Sequence, residues 1–194
     1  MGGARGREGD GRTAGDGADF PWLWLAPGLL VLLGLLIWGV LVYPDLPEQV
    51  PQHIGSDGVD RYADKSVGAV FLPLFVHAGT LALLAGTAYA TLRITPQSEL
   101  GPDQRVSSLV NRPKTREGAR RGARAQLFLA FCLGLTLAVT CTVMWSTTPP
   151  EEGARLTWTL VLALLPVGLG TLAVLVTALR DRARGSGSQR PTSG

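Results

Sequence analysis

Charge is missing where a soluble protein would need it. Within 22–43, 67–92, 125–145 and 156–179 the 194-residue chain has no Asp, Glu, Lys or Arg, and His77 is the sole histidine in those stretches. A soluble domain mixes charge into every surface-facing segment. Each stretch instead supplies the roughly 20 apolar residues that an α-helix needs to cross bilayer hydrocarbon. Cysteine is scarce too. Cys132 and Cys141 stand nine positions apart in the third stretch, on opposite faces of a helix, which excludes a bridge within it, a disulfide framework and a metal–thiolate site. No nucleophile–base pair, phosphate-binding glycine loop or acid within a span is present, so the sequence points away from an enzyme and from cofactor or metal chemistry. Lysine is rare, with 2 Lys against 16 Arg, and glycine and alanine are abundant, a composition that suits a GC-rich bacterial genome.

What is present sorts by side of the membrane. Fifteen of the eighteen basic residues fall in the N-terminal tail, the connection between spans two and three, and the C-terminal tail; only Arg61, Lys65 and Arg155 fall in the alternate segments. Positive residues mark the cytoplasmic side. The expected fold is therefore an all-α membrane protein of four transmembrane helices, N-in and C-in, with an ordered extracytoplasmic loop between helices one and two. The bacterial cytoplasmic membrane is the expected location and the bilayer the first partner. The formal charge of +3 is no nucleic-acid signal, because the charges are segregated. The first span lacks a cleavage site and is longer than a secretory h-region, so it reads as uncleaved.

Along the chain, 1–19 is glycine-rich and charged and is expected to be disordered. A helical hairpin follows over 20–95, a basic cytoplasmic loop over 96–124, a second hairpin over 125–180, and a disordered tail over 181–194. From about Lys114 the basic segment is free of proline and can run helically into span three, placing Arg116, Arg120, Arg121 and Arg124 where anionic lipid or a cytoplasmic protein partner would meet them. In span two, Ala78, Ala82, Gly86 and Ala90 recur every four residues, a small-residue stripe expected to face another span. Pro166 in span four predicts a kink. His77 is the intramembrane polar residue. An ionisable group at that depth is a functional candidate by default, and hydroxyls such as Thr80, Thr136, Thr140 or Thr171 are its expected partners.

The first outer loop, 43–66, carries most of the information. Pro44, Pro47 and Pro51 predict an extended, polyproline-like path, Asp57-Gly58 a turn, and Leu46, Val50, Ile54 and Tyr62 are apolar enough to fold the loop back onto the membrane surface. Two readings of its polar residues stand side by side: His53, Asp60, Arg61 and Lys65 pair to hold the loop's shape, with Asp60 and Arg61 acting together, or they contact an extracellular peptide or membrane protein. A metal site built from His53, Asp57, Asp60 and Asp64 matches no established ligand spacing.

The pattern Leu46-Pro47-x-x-Val50-Pro51-x-His53, then Gly58-x-Asp60-Arg61-Tyr62, Lys65 and Pro73, resembles the short membrane domain of unknown function at the head of Sdp-type immunity proteins, over about residues 25–95. That resemblance implies a bacterial multi-pass protein whose best-described relatives protect the producer from a secreted peptide toxin and relay its presence to a cytoplasmic repressor. It marks Pro47, Pro51, His53, Gly58, Asp60, Arg61 and Lys65 as candidate contacts for ligand or partner. Ile54 and Gly55 depart from the family's aromatic and polar residues, and the second half matches no immunity domain. The alternative is a structural or accessory subunit of a membrane complex, without a ligand of its own.

Overall fold

The computed structural model describes residues 19–55, 58–101, 112–146 and 154–186. The expectations for the tails over 1–18 and 187–194 and for the turn at Asp57 lie outside these residues. Helix α1 spans Trp22–Val42, a 3₁₀ turn Tyr43–Asp45 follows, and strands β1 (Gln49–Gly55) and β2 (Gly58–Asp64) come next. The short helix α2 (Val67–Val70) precedes α3 (Leu72–Arg93), α4 (Arg116–Met144) and α5 (Ala154–Ser186).

Among the described residues four helices are long and apolar enough to cross a membrane. Their burial is the reverse of a soluble bundle's: α1 buries only Leu25, Gly28, Leu35 and Gly39, while Leu23 and Leu41 are exposed. A helix that is apolar all round yet mostly uncovered has lipid as its solvent. The chain has the architecture of a multi-pass membrane protein. α4 stands at the centre, packed against α1, α3 and α5, while α5 is held chiefly by α4.

Three features differ from the expectations. The fold is not all-α, because the loop after α1 is a two-stranded antiparallel hairpin rather than a polyproline-like path. Pro51 fits inside β1 because both strands of a two-stranded sheet are edges, where a missing N–H is tolerated. Second, the span expected over 67–92 is broken at Phe71, between α2 and α3. Ser66 caps α2, its hydroxyl accepting from Ala69 N at 3.2 Å. Pro73 stands in the first turn of α3, where its lack of an N–H costs least. α4 begins within the basic segment, capped by Thr115, whose hydroxyl accepts from Gly118 N at 3.0 Å.

Third, the stripe of Ala78, Ala82, Gly86 and Ala90 does not face another span of this chain. Ala82, Gly86 and Ala90 are exposed, and a Cβ built on Gly86 meets nothing within 4 Å. α3 instead buries Pro73, Leu74, His77, Leu81, Ala88 and Leu92, the side toward α1 and α4. The close approach belongs to Gly170 on α5, where a Cβ would lie 3.0 Å from the Leu129 Cα and 3.0 Å from the Cys132 Cβ. Gly170→Leu should therefore lower the thermal midpoint in detergent by an amount equivalent to about 1–3 kcal/mol of overpacking. Gly86→Leu should leave it unchanged or slightly raised, since glycine within a helix costs about 0.5–1 kcal/mol relative to alanine. Equal losses would return the stripe to the interior.

α5 runs unbroken through Pro166. Pro166 withholds a donor from the Leu162 carbonyl, and next to it the Ala163 carbonyl accepts from the Thr136 hydroxyl of α4 at 2.6 Å, a cross-helix bond that ties α5 to α4. At the other end of the bundle Arg116 donates to both carboxylate oxygens of Glu99, at 2.8 and 2.7 Å. These bonds hold the Glu99 carboxyl below its ordinary range and tie the turn after α3 to the start of α4.

Candidate functional site

The hairpin's shape begins with two compensating bulges. Pro51 faces Tyr62 and His53 faces Arg61, so Gln52 has no partner across the ladder; Ile54 then faces Val59, so Asp60 has none either. A bulge adds an unpaired residue and re-aims its side chain. Both extra residues are used. Gln52 turns down and its Nε2 donates to the Ala69 carbonyl at 3.2 Å. Asp60 turns across the strands, and its Oδ1 accepts from His53 Nδ1 at 2.7 Å.

The acceptor chosen by Gln52 has a covalent cause. Pro73 offers no N–H to the carbonyl four residues earlier, that of Ala69. A carbonyl left bare near the bundle end would be costly, and the hairpin supplies the donor. The neighbouring Val70 carbonyl accepts from Nε1 of Trp145, the residue that caps α4, at 3.0 Å. Two adjacent carbonyls at the break before α3, Ala69 O freed by Pro73 and Val70 O beside it, are thus the points at which the hairpin and the end of α4 are joined to α3.

Apolar packing completes the attachment. Leu46 and Val50 are buried with Leu35 of α1, with Val70, Phe71 and Leu74, and with Cys141 and Met144 of α4 and Trp145 at its C-cap. Trp38 meets Trp145 edge-on at 5.0 Å between ring centroids, and Gly39 lets both Phe71 and Trp145 approach the α1 backbone. At the base of the hairpin Lys65 Nζ donates to the carbonyls of Pro44 at 3.1 Å and Leu46 at 2.8 Å and lies 5.2 Å from the centre of the Tyr43 ring. Lys65 N also donates to Glu48 O at 2.7 Å.

These contacts divide the candidate residues. His53, Asp60 and Arg61 come together on the exposed face of the hairpin, His53 and Asp60 as a hydrogen-bonded pair with side chains 62% and 59% exposed, and Arg61 as the cross-strand neighbour of His53. Asp60 pairs with His53 rather than with Arg61. Pro51 is buried beneath them and Pro47 is exposed at the base. Lys65 serves as a strut, and Gly58 faces Gly55 at the far end of the ladder. Among the described residues no group of three or more His, Cys, Asp or Glu could hold one metal ion. Gln52 and Trp145 were not singled out by the sequence; the missing N–H of Pro73 was the available signal that a donor had to come to Ala69.

His77 stands apart, inside the bundle and fully buried. Its partner is no hydroxyl: Nε2 donates to the Gly28 carbonyl of α1 at 3.2 Å, and Nδ1 has no hydrogen-bond partner among the described residues. The Thr80 hydroxyl bonds backbone carbonyls instead, including that of His77 at 3.2 Å. The ring is closed in from the other side by α4, where Gly134 offers no side chain.

Residues 29–76 match the family described as a domain of unknown function (DUF1648). The match covers about a quarter of the chain: most of α1, the whole hairpin and the Pro73 turn, ending just before His77. No curated protein and no solved structure matches the chain. The matched segment contains the hairpin, its strut Lys65 and both acceptor carbonyls, while Trp145 comes from outside it.

Proposed function

We propose that this chain is a bacterial cytoplasmic-membrane protein, N-in and C-in, that senses or neutralises an extracellular peptide through its hairpin, as immunity-like membrane proteins do. The observation that carries the reading is the division of the motif by face. Leu46, Val50 and Gln52 attach the hairpin to the bundle, whereas His53, Asp60 and Arg61 point away from it and hold no part of the packing. An ordered cap with an unused polar face is what recognition of a peptide needs, and a purely structural loop has no reason to keep one. The outward placement of the cap rests on the asymmetry of fifteen basic residues to three.

A second reading, an accessory subunit of a membrane complex, is favoured by one observation: the smooth exposed stripe about Gly86 is available to a helix of another protein.

One set of variants separates them. Asp64→Cys should react with a membrane-impermeant maleimide in intact cells and Ser98→Cys only after lysis, against a silent background because Cys132 and Cys141 are buried. Cells making the chain should survive challenge with a secreted peptide toxin. His53→Ala and Asp60→Ala should abolish survival with the amount of protein in the membrane unchanged, because an exposed pair contributes only about 0–1 kcal/mol to folding. Disappearance of both variants from the membrane would make the pair structural. Full protection by both would discard the hairpin as the recognition surface and favour the accessory role.

A further inference from the structure

At the end of the bundle opposite the hairpin, a cavity of about 270 Å³ lies between α3, α4 and α5. Three of its lining side chains are cationic, Arg112, Lys114 and Arg182, and one is acidic, Asp181. The acid is engaged: Asp181 Oδ2 accepts from Lys114 N at 3.0 Å, which places a carboxylate at the start of α4 where the helix dipole favours it. Among the described residues Lys114 Nζ donates to the Arg182 carbonyl at 3.0 Å, and an ammonium carries three protons. Arg112 donates from Nη1 to Thr95 O at 2.7 Å.

Two polar atoms of the lining are buried without a partner among the described residues, the donor Arg112 Nε and the acceptor Gln126 Oε1. Orphans of this kind call for an occupant. Here the occupant must accept from a guanidinium and an ammonium and also donate to an amide oxygen. A phosphate group carrying or adjoining a hydroxyl meets all three demands. The height of the cavity agrees. Gln126 follows the last charge of α4, Arg124; Asp181 and Arg182 follow the end of the uncharged apolar run of α5 at Leu179; and Thr91 precedes the first charge at the end of α3, Arg93. Three helices therefore change from apolar to charged at this level, which is the level of lipid headgroups. Basic pockets between spanning helices are suited to anionic heads.

We propose that this cavity is a binding site for a hydroxyl-bearing phosphate, held by Arg112 and Lys114 and read by Gln126, with phosphatidylglycerol-type headgroups as the membrane source and inorganic phosphate as the soluble one. The test is lipid retention by the purified full chain after delipidation, counted by native mass spectrometry. Phosphatidylglycerol should be retained over phosphatidylcholine, whose head has a phosphate but no donor. Arg112→Gln and Lys114→Gln should each weaken retention by about five-fold, the loss of roughly one basic contact. Gly122→Leu should nearly abolish it, because Gly122 lines the cavity and a Cβ there meets nothing within 4 Å, so the side chain fills the space without disturbing the fold. Arg124→Gln should weaken retention less than Arg112→Gln does, since Arg124 lines a different cavity, beside Phe20 and Leu92.

Displacement of lipid by millimolar inorganic phosphate would assign the site to the soluble source; its failure would assign it to the headgroup. Equal retention of the two lipids overturns the proposal. So do a loss with Arg124→Gln as large as with Arg112→Gln, which would mean diffuse charge attraction, and normal retention by Gly122→Leu.

Discussion

Gly134→Ala should destabilise the bundle although it adds only one methyl group in the interior of a helix. A Cβ at this position would lie 2.5 Å from His77 Cε1, 2.7 Å from Nε2 and 3.2 Å from Val31 Cγ1. The imidazole has nowhere to retreat, being fully buried and bonded to the Gly28 carbonyl on its far side. Overpacking costs about 1–3 kcal/mol, and pushing the ring off Gly28 forfeits about 0.5–1.5 kcal/mol more. The gain in helix propensity offsets about 0.5–1 kcal/mol, so the balance is a net loss. Gly134→Leu should prevent assembly of α1, α3 and α4. The measurement is thermal unfolding in detergent, and its control is a double variant. In a His77→Ala background Gly134→Ala should cost little or nothing, because the atoms it strikes are gone. An unchanged midpoint for Gly134→Ala in the wild-type background, or equal losses in both backgrounds, would show that the ring is not wedged there.

Trp145→Ala should cost about 3–5 kcal/mol, the range for truncating a buried large aromatic, and its effect should be felt most at the hairpin. The indole is 3% exposed, meets Trp38 and Phe71 and supplies the donor for Val70 O. In lipid, apolar residues gain little from merely leaving the solvent, so shape-matched packing and hydrogen bonds carry association. Losing this side chain removes both. Trp145→Phe separates them: the rings still meet, Val70 O loses its side-chain donor, and about 1–3 kcal/mol should follow. Limited proteolysis across Gly58–Asp64, together with the detergent melt, reads the result. Faster cleavage of the hairpin at unchanged bundle stability would show Trp145 acting on the cap alone; no change in either would remove it as an anchor.

The membrane-spanning helices were legible because the bilayer's demand is local. A run of apolar residues either is long enough or is not, and no neighbour can alter that. The hairpin was half legible. Its apolar residues Leu46 and Val50 could be read, but three prolines suggested a polyproline path, since a rule for single residues cannot see that both strands are edges. The bulges at Gln52 and Asp60 left no mark in the sequence. Register arises from the pairing of two strands, and it is register that turned Asp60 toward His53 instead of Arg61. The stripe at Ala78, Ala82, Gly86 and Ala90 was legible as spacing and misleading as orientation, because spacing defines a face without saying what stands opposite.

The sequence by itself determined that the chain belongs in a membrane, how many times it can cross, and which of its segments carry positive charge. Each of these follows from length and composition along one segment. Only the tertiary structure decided that Pro73's missing donor is replaced by Gln52, that His77 bonds a backbone carbonyl exposed by Gly28, and that Arg112 and Gln126 leave unmet bonds in one cavity. Each of these depends on which helix comes close to which. In lipid that choice is set by small differences in packing between distant residues, a quantity no single stretch of sequence contains.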